Sequence, residues 1–164
     1  MTVTTSPSRP RRIVVGYDAS PASRAALAQA AHRAGEDGRV YILHAYSLPA
    51  NGPGTTNHQH LVDLELERAQ ARVERLDEED GADLQGVEWE VELIGGRPAR
   101  AIASVATARE ADEIIIGTRG FGRARALLGS VAHELIHLAA CPVTVIPQQA
   151  LDRAAELARA EVAS

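Results

Sequence analysis

Apolar runs and helix-period stretches take turns along this chain with a regular beat. Arg12-Ile13-Val14-Val15-Gly16 is a short continuous run ending in glycine, the signature of a strand covered on both faces. Ser20-Pro21 then marks a helix start, since serine can cap the first turn and proline has no N–H to lose there. The helix is expected to run to Ala34 with Leu27, Ala30, Ala31 and Ala34 on one face, and Gly35 ends it. Val40-Tyr41-Ile42-Leu43-His44-Ala45 predicts a second buried strand. The stretch from Tyr46 to about Gln59, rich in Pro, Gly, Asn and Thr, is expected to be a mobile loop, with His58 and His60 at its end. Val62, Leu66, Ala69, Val73 and Leu76 form the stripe of a second helix, closed by Gly81.

Val87 to Leu93 alternates apolar residues with glutamate, as a half-buried edge strand does. Gly95-Gly96-Arg97-Pro98 opens a helix whose apolar face is Ile102, Val105 and Ala106. Glu113-Ile114-Ile115-Ile116-Gly117 is the most apolar strand, followed by a glycine-rich loop to Gly129 and a helix from Ser130 to Ala140 that should bury Leu135 and Leu138. A last strand lies between Pro142 and Pro147, and a helix is expected from Gln149 to Val162. Strand and helix alternating in this way imply an α/β fold: one domain with a five-stranded, mostly parallel sheet and helices on both faces. The expected division is a disordered arm over 1–11, a folded unit over 12–147 and a helical extension over 148–164. Ligands of such sheets bind beyond the carboxyl ends of the strands, where the strand order reverses. Three segments should share that rim: Gly16 to Asp18, His44 to Ala45, and Gly117 to Ser130.

Composition narrows the function. The 164 residues are 45% hydrophobic and 24% charged, which suits a single well-cored domain. A formal net charge of -5 and only 3% aromatics disfavour a nucleic-acid binder, which needs a basic face and stacking side chains. Cys141 is the one cysteine, so it can form neither an internal disulfide nor a multi-cysteine metal site, and a cytoplasmic setting is expected. It is read as a small buried hydrophobe.

The segment from Gly117 to Val131 carries the candidate chemistry. Glycines let backbone N–H groups approach phosphate oxygens, and the start of a helix at Gly129-Ser130 offers unpaired N–H groups and a favourable dipole. Arg119, Arg123 and Arg125 add positive charge to an otherwise acidic protein. These features point to an anion site for a phosphorylated ligand. Neither a Walker loop nor a dinucleotide fingerprint is present.

Val-Gly-Tyr-Asp-Ala-Ser-Pro-x-Ser after the first strand, Gly-Arg-Pro before the third helix, Gly-Thr-Arg-Gly, Leu-Gly-Ser-Val and Cys-Pro-Val together resemble the universal stress protein family over Arg12 to Pro147. The resemblance implies a homodimer paired through the last strand and, in the nucleotide-binding branch, an ATP loop of pattern Gly-x2-Gly-x9-Gly-Ser/Thr. By it Gly117, Gly120, Gly129 and Ser130 would surround the phosphates, with Mg²⁺ accompanying them. Asp18 would meet the ribose or adenine side, Ala45 and Ile116 would line the adenine slot, and the backbone of Val131 would close the phosphate end. The chain departs from the family in two places, with eight residues instead of nine between Gly120 and Gly129, and more mildly at Ala45, which is smaller than the branched residue usual there. The expected role is that of a stress-response sensor or regulator, without a dedicated enzymatic reaction. The shortened loop keeps two alternatives in view: a dimeric interaction module without nucleotide, and a binder of cyclic AMP.

His133-Glu134-Leu135-Ile136-His137 spells the zinc-protease motif His-Glu-x-x-His. The next candidate ligands, Asp152 and Glu156, lie beyond the last strand, so no metal and no catalytic residue is assigned. His44 reads as a satisfied core histidine, Tyr17 as either a ligand neighbour or a packing residue, and Asp18 as either a ligand partner or a cap of the first helix. Val143 to Ile146 form an exposed edge that invites pairing with a second copy. No stretch is long and apolar enough for a membrane span.

Overall fold

The structure is a computed structural model that describes residues 9–46, 48, 58–118 and 128–147. Five strands, β1 (Arg12–Gly16), β2 (Arg39–Tyr46), β3 (Glu88–Gly95), β4 (Glu113–Gly117) and β5 (Val143–Ile146), form one sheet in the order β3-β2-β1-β4-β5. Every pairing in it is parallel. Between them run α1 (Pro21–Ala34), α2 (His58–Asp80), α3 (Pro98–Ala108) and α4 (Ser130–Leu138).

The α/β architecture follows from what the strands must bury. In β1, Ile13 and Val15 face one side and Val14 the other, and all three are fully buried. The first side is covered by Leu27 of α1 and Leu76 of α2, the second by Ile102 of α3 and Leu135 of α4. Each such side chain contributes about 1.5–3 kcal/mol by leaving water. Exposed ion pairs such as Arg12–Glu110 contribute about 0.2–1 kcal/mol each. The two-sided apolar core therefore sets the fold, and the surface charges trim it.

Local signals place the elements. Ser20 caps α1 by accepting from Ser23 N, Pro21 occupies the first turn, and Gly35 ends the helix at φ 69°. The half-buried β3 lies at one edge of the sheet and β5 at the other. At the start of the described chain, Arg9 pairs with Asp112 at 2.7 Å and Arg12 N–H donates to the same carboxylate at 2.9 Å. The arm before Arg9 and the helix expected over Gln149 to Val162 lie outside the described residues.

Two expectations are corrected. His58 and His60 belong to the first turn of α2 rather than to the preceding loop. Leu138 is 42% exposed, because α4 turns Ala132 and Leu135 to the sheet and ends at Leu138. Its apolar spacing alone did not reveal how short the helix is.

Two buried polar clusters staple the α1 side. Tyr17 Oη donates to Asp80 Oδ2 at 2.6 Å, and Arg24 Nη1 reaches Oδ1 of the same carboxylate at 3.4 Å. Glu113 accepts from Arg33 and from Thr144 Oγ1, the latter at 2.5 Å, and so ties α1, β4 and β5 together.

Gly117 is small for a packing reason. A Cβ there would sit 2.4 Å from the backbone carbon of Ala22, where α1 begins. Gly117→Ala is therefore expected to destabilise the protein by about 1–3 kcal/mol in urea unfolding, since a backbone neighbour cannot rotate away. An unchanged midpoint would contradict that packing. Cys141 packs at the rim of the α3–α4 core, where burial pushes its thiol pKa up and the charges of Asp112 and Glu113 push the same way. The thiol thus stays protonated through neutral pH, and its alkylation at pH 8 is expected to be several-fold slower than that of free cysteine. Equal rates would contradict it.

Candidate functional site

The connections leaving β1 and β4 go to opposite faces of the sheet. After Gly16 the chain turns to α1, and the chain beyond Gly117 reaches α4 on the other side. Adjacent strands whose continuations diverge leave a crevice at their carboxyl ends. A cavity of about 80 Å³ occupies this place.

Its walls are mostly aliphatic. Leu43 and Ala45 come from β2, Ile116 from β4, Ile102 from α3 and Val131 from the first turn of α4. Gly16 makes room for them, since a Cβ there would lie 2.9 Å from Ile102 Cδ1 and 3.0 Å from Ile116 Cγ2. Polar groups gather on the α1 side, where Asp18 and Ser23 line the slot. Apolar walls with a few polar groups to one side are the usual make-up of a small-molecule site.

The turn carrying Asp18 is tightly determined. Asp18 Oδ1 accepts from Ser20 N–H at 3.0 Å, and Asp18 N–H donates to Ser23 Oγ at 3.3 Å. Ser23 Oγ in turn donates to the Ser20 carbonyl at 3.0 Å. Between them Ala19 holds φ 63°, a left-handed conformation unusual for alanine, which persists only when neighbours fix it. Asp18 remains exposed, so capping the turn does not remove it from the slot.

Five of the expected residues thus meet at one slot: Asp18, Ala45, Ile116, Gly117 and Val131. Gly129 is the N-cap of α4 and Ser130 its first residue, adjoining the slot through Val131. Ser130 itself lines a neighbouring surface hollow with Arg97 and His133. Gly120, Arg119, Arg123 and Arg125 lie outside the described residues. Tyr17 lines the slot and buries its side chain against Asp80. His44 is buried, with Nδ1 2.7 Å from the Tyr17 carbonyl oxygen.

Sequence reasoning missed the wall given by α3. Pro98 and Ile102 line the slot. The signal was available, because Gly95-Gly96-Arg97-Pro98 follows a strand and so falls on the same rim as the other three segments. The His-Glu-x-x-His spelling lies elsewhere, on the outer face of α4. The rings of His133 and His137 meet edge to face at 5.3 Å, while Glu134 pairs with Arg97 at 3.2 Å and Arg100 at 3.8 Å. No third His, Cys, Asp or Glu joins them among the described residues.

Known proteins share both the sequence pattern and this architecture. The profile described as "Universal stress protein family" matches residues 10–147. A universal stress protein from Thermus aquaticus is 35% identical over 140 residues, covering 83% of this chain and 98% of that one. Among solved structures, UspA from Lactobacillus plantarum has a TM-score of 0.69 at 23% identity, covering 85% of this chain and 99% of its own, and speaks for the fold. The universal stress protein from Archaeoglobus fulgidus, solved in complex with dAMP, is 27% identical with a TM-score of 0.53, over 85% of this chain and 99% of that one. With the profile spanning the whole described sheet and a relative matched almost from end to end, this chain belongs to the universal stress protein family.

Proposed function

We propose that this protein binds an adenine nucleotide, ATP with its Mg²⁺, in the slot at the ends of β1 and β4, and that it works as a nucleotide-responsive regulator in a stress response. The observation that carries the reading is the slot itself, an apolar crevice at the strand-order switch with Asp18 at its polar side. On this reading a purine would lie against the aliphatic side chains of Ala45, Ile116, Ile102 and Val131, and a carboxylate at the edge suits a ribose hydroxyl. The phosphates then point toward Gly129 and Ser130, where the first-turn amides of α4 have no intrahelical acceptor. Gly117 and Gly120 complete the family's phosphate pattern on this reading. Mg²⁺ would be bound through the nucleotide's phosphates, whose charge it would neutralise. The dAMP bound by the Archaeoglobus relative supports an adenine ligand for this chain as well.

We assign no dedicated reaction to the slot. Among its described lining residues Asp18 is the one carboxylate, and the Tyr17 hydroxyl is spent on Asp80. Acid–base work needs a second group in reach of the reacting atoms. On this reading any hydrolysis would be slow, and occupancy of the slot is the output. We place the protein in the cytoplasm as a homodimer that pairs β5 with β5 about a two-fold axis. Val143, Val145 and Ile146 are only partly covered in one chain, at an open sheet edge. On this view residues 12–147 form the binding unit and 148–164 an extension of it.

Calorimetric titration of nucleotide-free protein with ATP and Mg²⁺, ADP, AMP and cyclic AMP tests the reading. Binding is expected for ATP, with loss in Ala45→Trp, which fills the slot. Gly120→Val should weaken ATP at least about tenfold, or roughly 1.4 kcal/mol, and AMP much less. Heat from cyclic AMP alone would favour the cyclic nucleotide, and no heat from any of the four would leave the interaction module. Light scattering tests the dimer: twice the single-chain mass is expected for the parent and the single-chain mass for Val145→Glu, which sets like charges across the axis. A parent of single-chain mass would refute the pairing.

A further inference from the structure

We infer that His44 is the positioning residue for Asp18: its buried imidazole holds the Tyr17–Asp18 peptide in the orientation that presents the carboxylate to the slot. The inference deepens the nucleotide reading and rests on it for its functional consequence.

His44 is 2% exposed and lies in β2 on the same side as Val40 and Ile42, which are wholly aliphatic. A polar ring in such a row costs stability unless it is hydrogen-bonded. Its Nδ1 is 2.7 Å from the Tyr17 carbonyl oxygen. A carbonyl can only accept, so Nδ1 carries the proton and donates. That carbonyl belongs to the peptide whose N–H side is Asp18, so the bond fixes the rotation of the peptide from which Asp18 departs.

The location gives the bond its importance. β1 pairs with β2 as far as Gly16 against Leu43, and Tyr17 N–H still donates to the Leu43 carbonyl at 2.9 Å. Past this point the chain swings away toward α1, and Ala19 must hold its left-handed φ. His44 therefore acts where regular pairing gives way to the turn. The Tyr17 side chain is held independently through its hydroxyl on Asp80. Tyr17 is thus clamped at its backbone by β2 and at its ring tip by the end of α2, and the next residue is Asp18.

The test uses the full chain and two kinds of readout. In the protein without nucleotide, ¹⁵N NMR is expected to show His44 protonated at Nδ1. His44→Leu should raise amide exchange at Asp18 and Ser20 about tenfold, because Asp18 N–H bonds Ser23 and Ser20 N–H bonds Asp18. His44→Asn, whose side-chain amide places a donor near the position of Nδ1, should restore protection. With nucleotide, His44→Leu should weaken ATP about five- to tenfold, the value of one oriented hydrogen bond. It should do nothing further in an Asp18→Ala background. An unprotonated Nδ1, unchanged exchange at Asp18 and Ser20, or an equal loss of affinity in that background would overturn the inference. Failure of the unmutated protein to bind any adenine nucleotide would instead remove the nucleotide reading, and the exchange experiment would still decide the role of His44.

Discussion

The demand that β1 be buried on both faces governs this molecule. Ile13, Val14 and Val15 admit no water on either side, so helices must cover both surfaces of the sheet. A chain that covers both faces from a parallel sheet has to reverse its direction of winding once. Here the reversal falls between β1 and β4, and the slot lies where it does for that reason. The site is thus a by-product of the core before it is a site, and its aliphatic walls continue the packing beneath them. Ile102 and Ile116 serve both purposes.

What distinguishes the slot from a mere packing gap is the turn at its α1 side. Asp18 is exposed beside apolar walls, in a turn that uses an unusual alanine conformation and several hydrogen bonds to keep its shape. Rigid presentation of one carboxylate reduces the ordering cost of binding. The buried Tyr17–Asp80–Arg24 cluster extends this rigidity to the end of α2. Tyr17 is common to the slot and to the contact with the end of α2, so a ligand bound as proposed would touch a residue that also holds α2.

Much of this was legible in the residues. The runs Ile13–Val15 and Ile114–Ile116, the Ser20-Pro21 start and the glycine at the end of α1 gave the elements and their order, because burial period and capping are local properties. The edge position of β3 followed from its alternating glutamates. Asp18, Ala45, Ile116, Gly117 and Val131 meet at one slot because the strand-switch rule places the ends of β1, β2 and β4 together. The α3 wall is less legible, because it follows β3, an edge strand that does not border the strand switch. The buried polar contacts were also hidden: Tyr17 with Asp80 and Arg33 with Glu113 are far apart in the chain, and no spacing announces them. The packing reason for Gly117 is of the same kind, since a phosphate loop and a close helix both call for glycine.

The proposed adenine nucleotide would lie in the slot between β1 and β4. Amide shift mapping by ¹H–¹⁵N NMR during titration with ATP and Mg²⁺ examines it residue by residue. The largest changes are expected at Gly16 to Asp18, Ala45, Gly117 and Ser130 to Val131, with little change at β3 or along the outer face of α3. Changes confined to the hollow around His133 and His137, or none at saturating nucleotide, would contradict it.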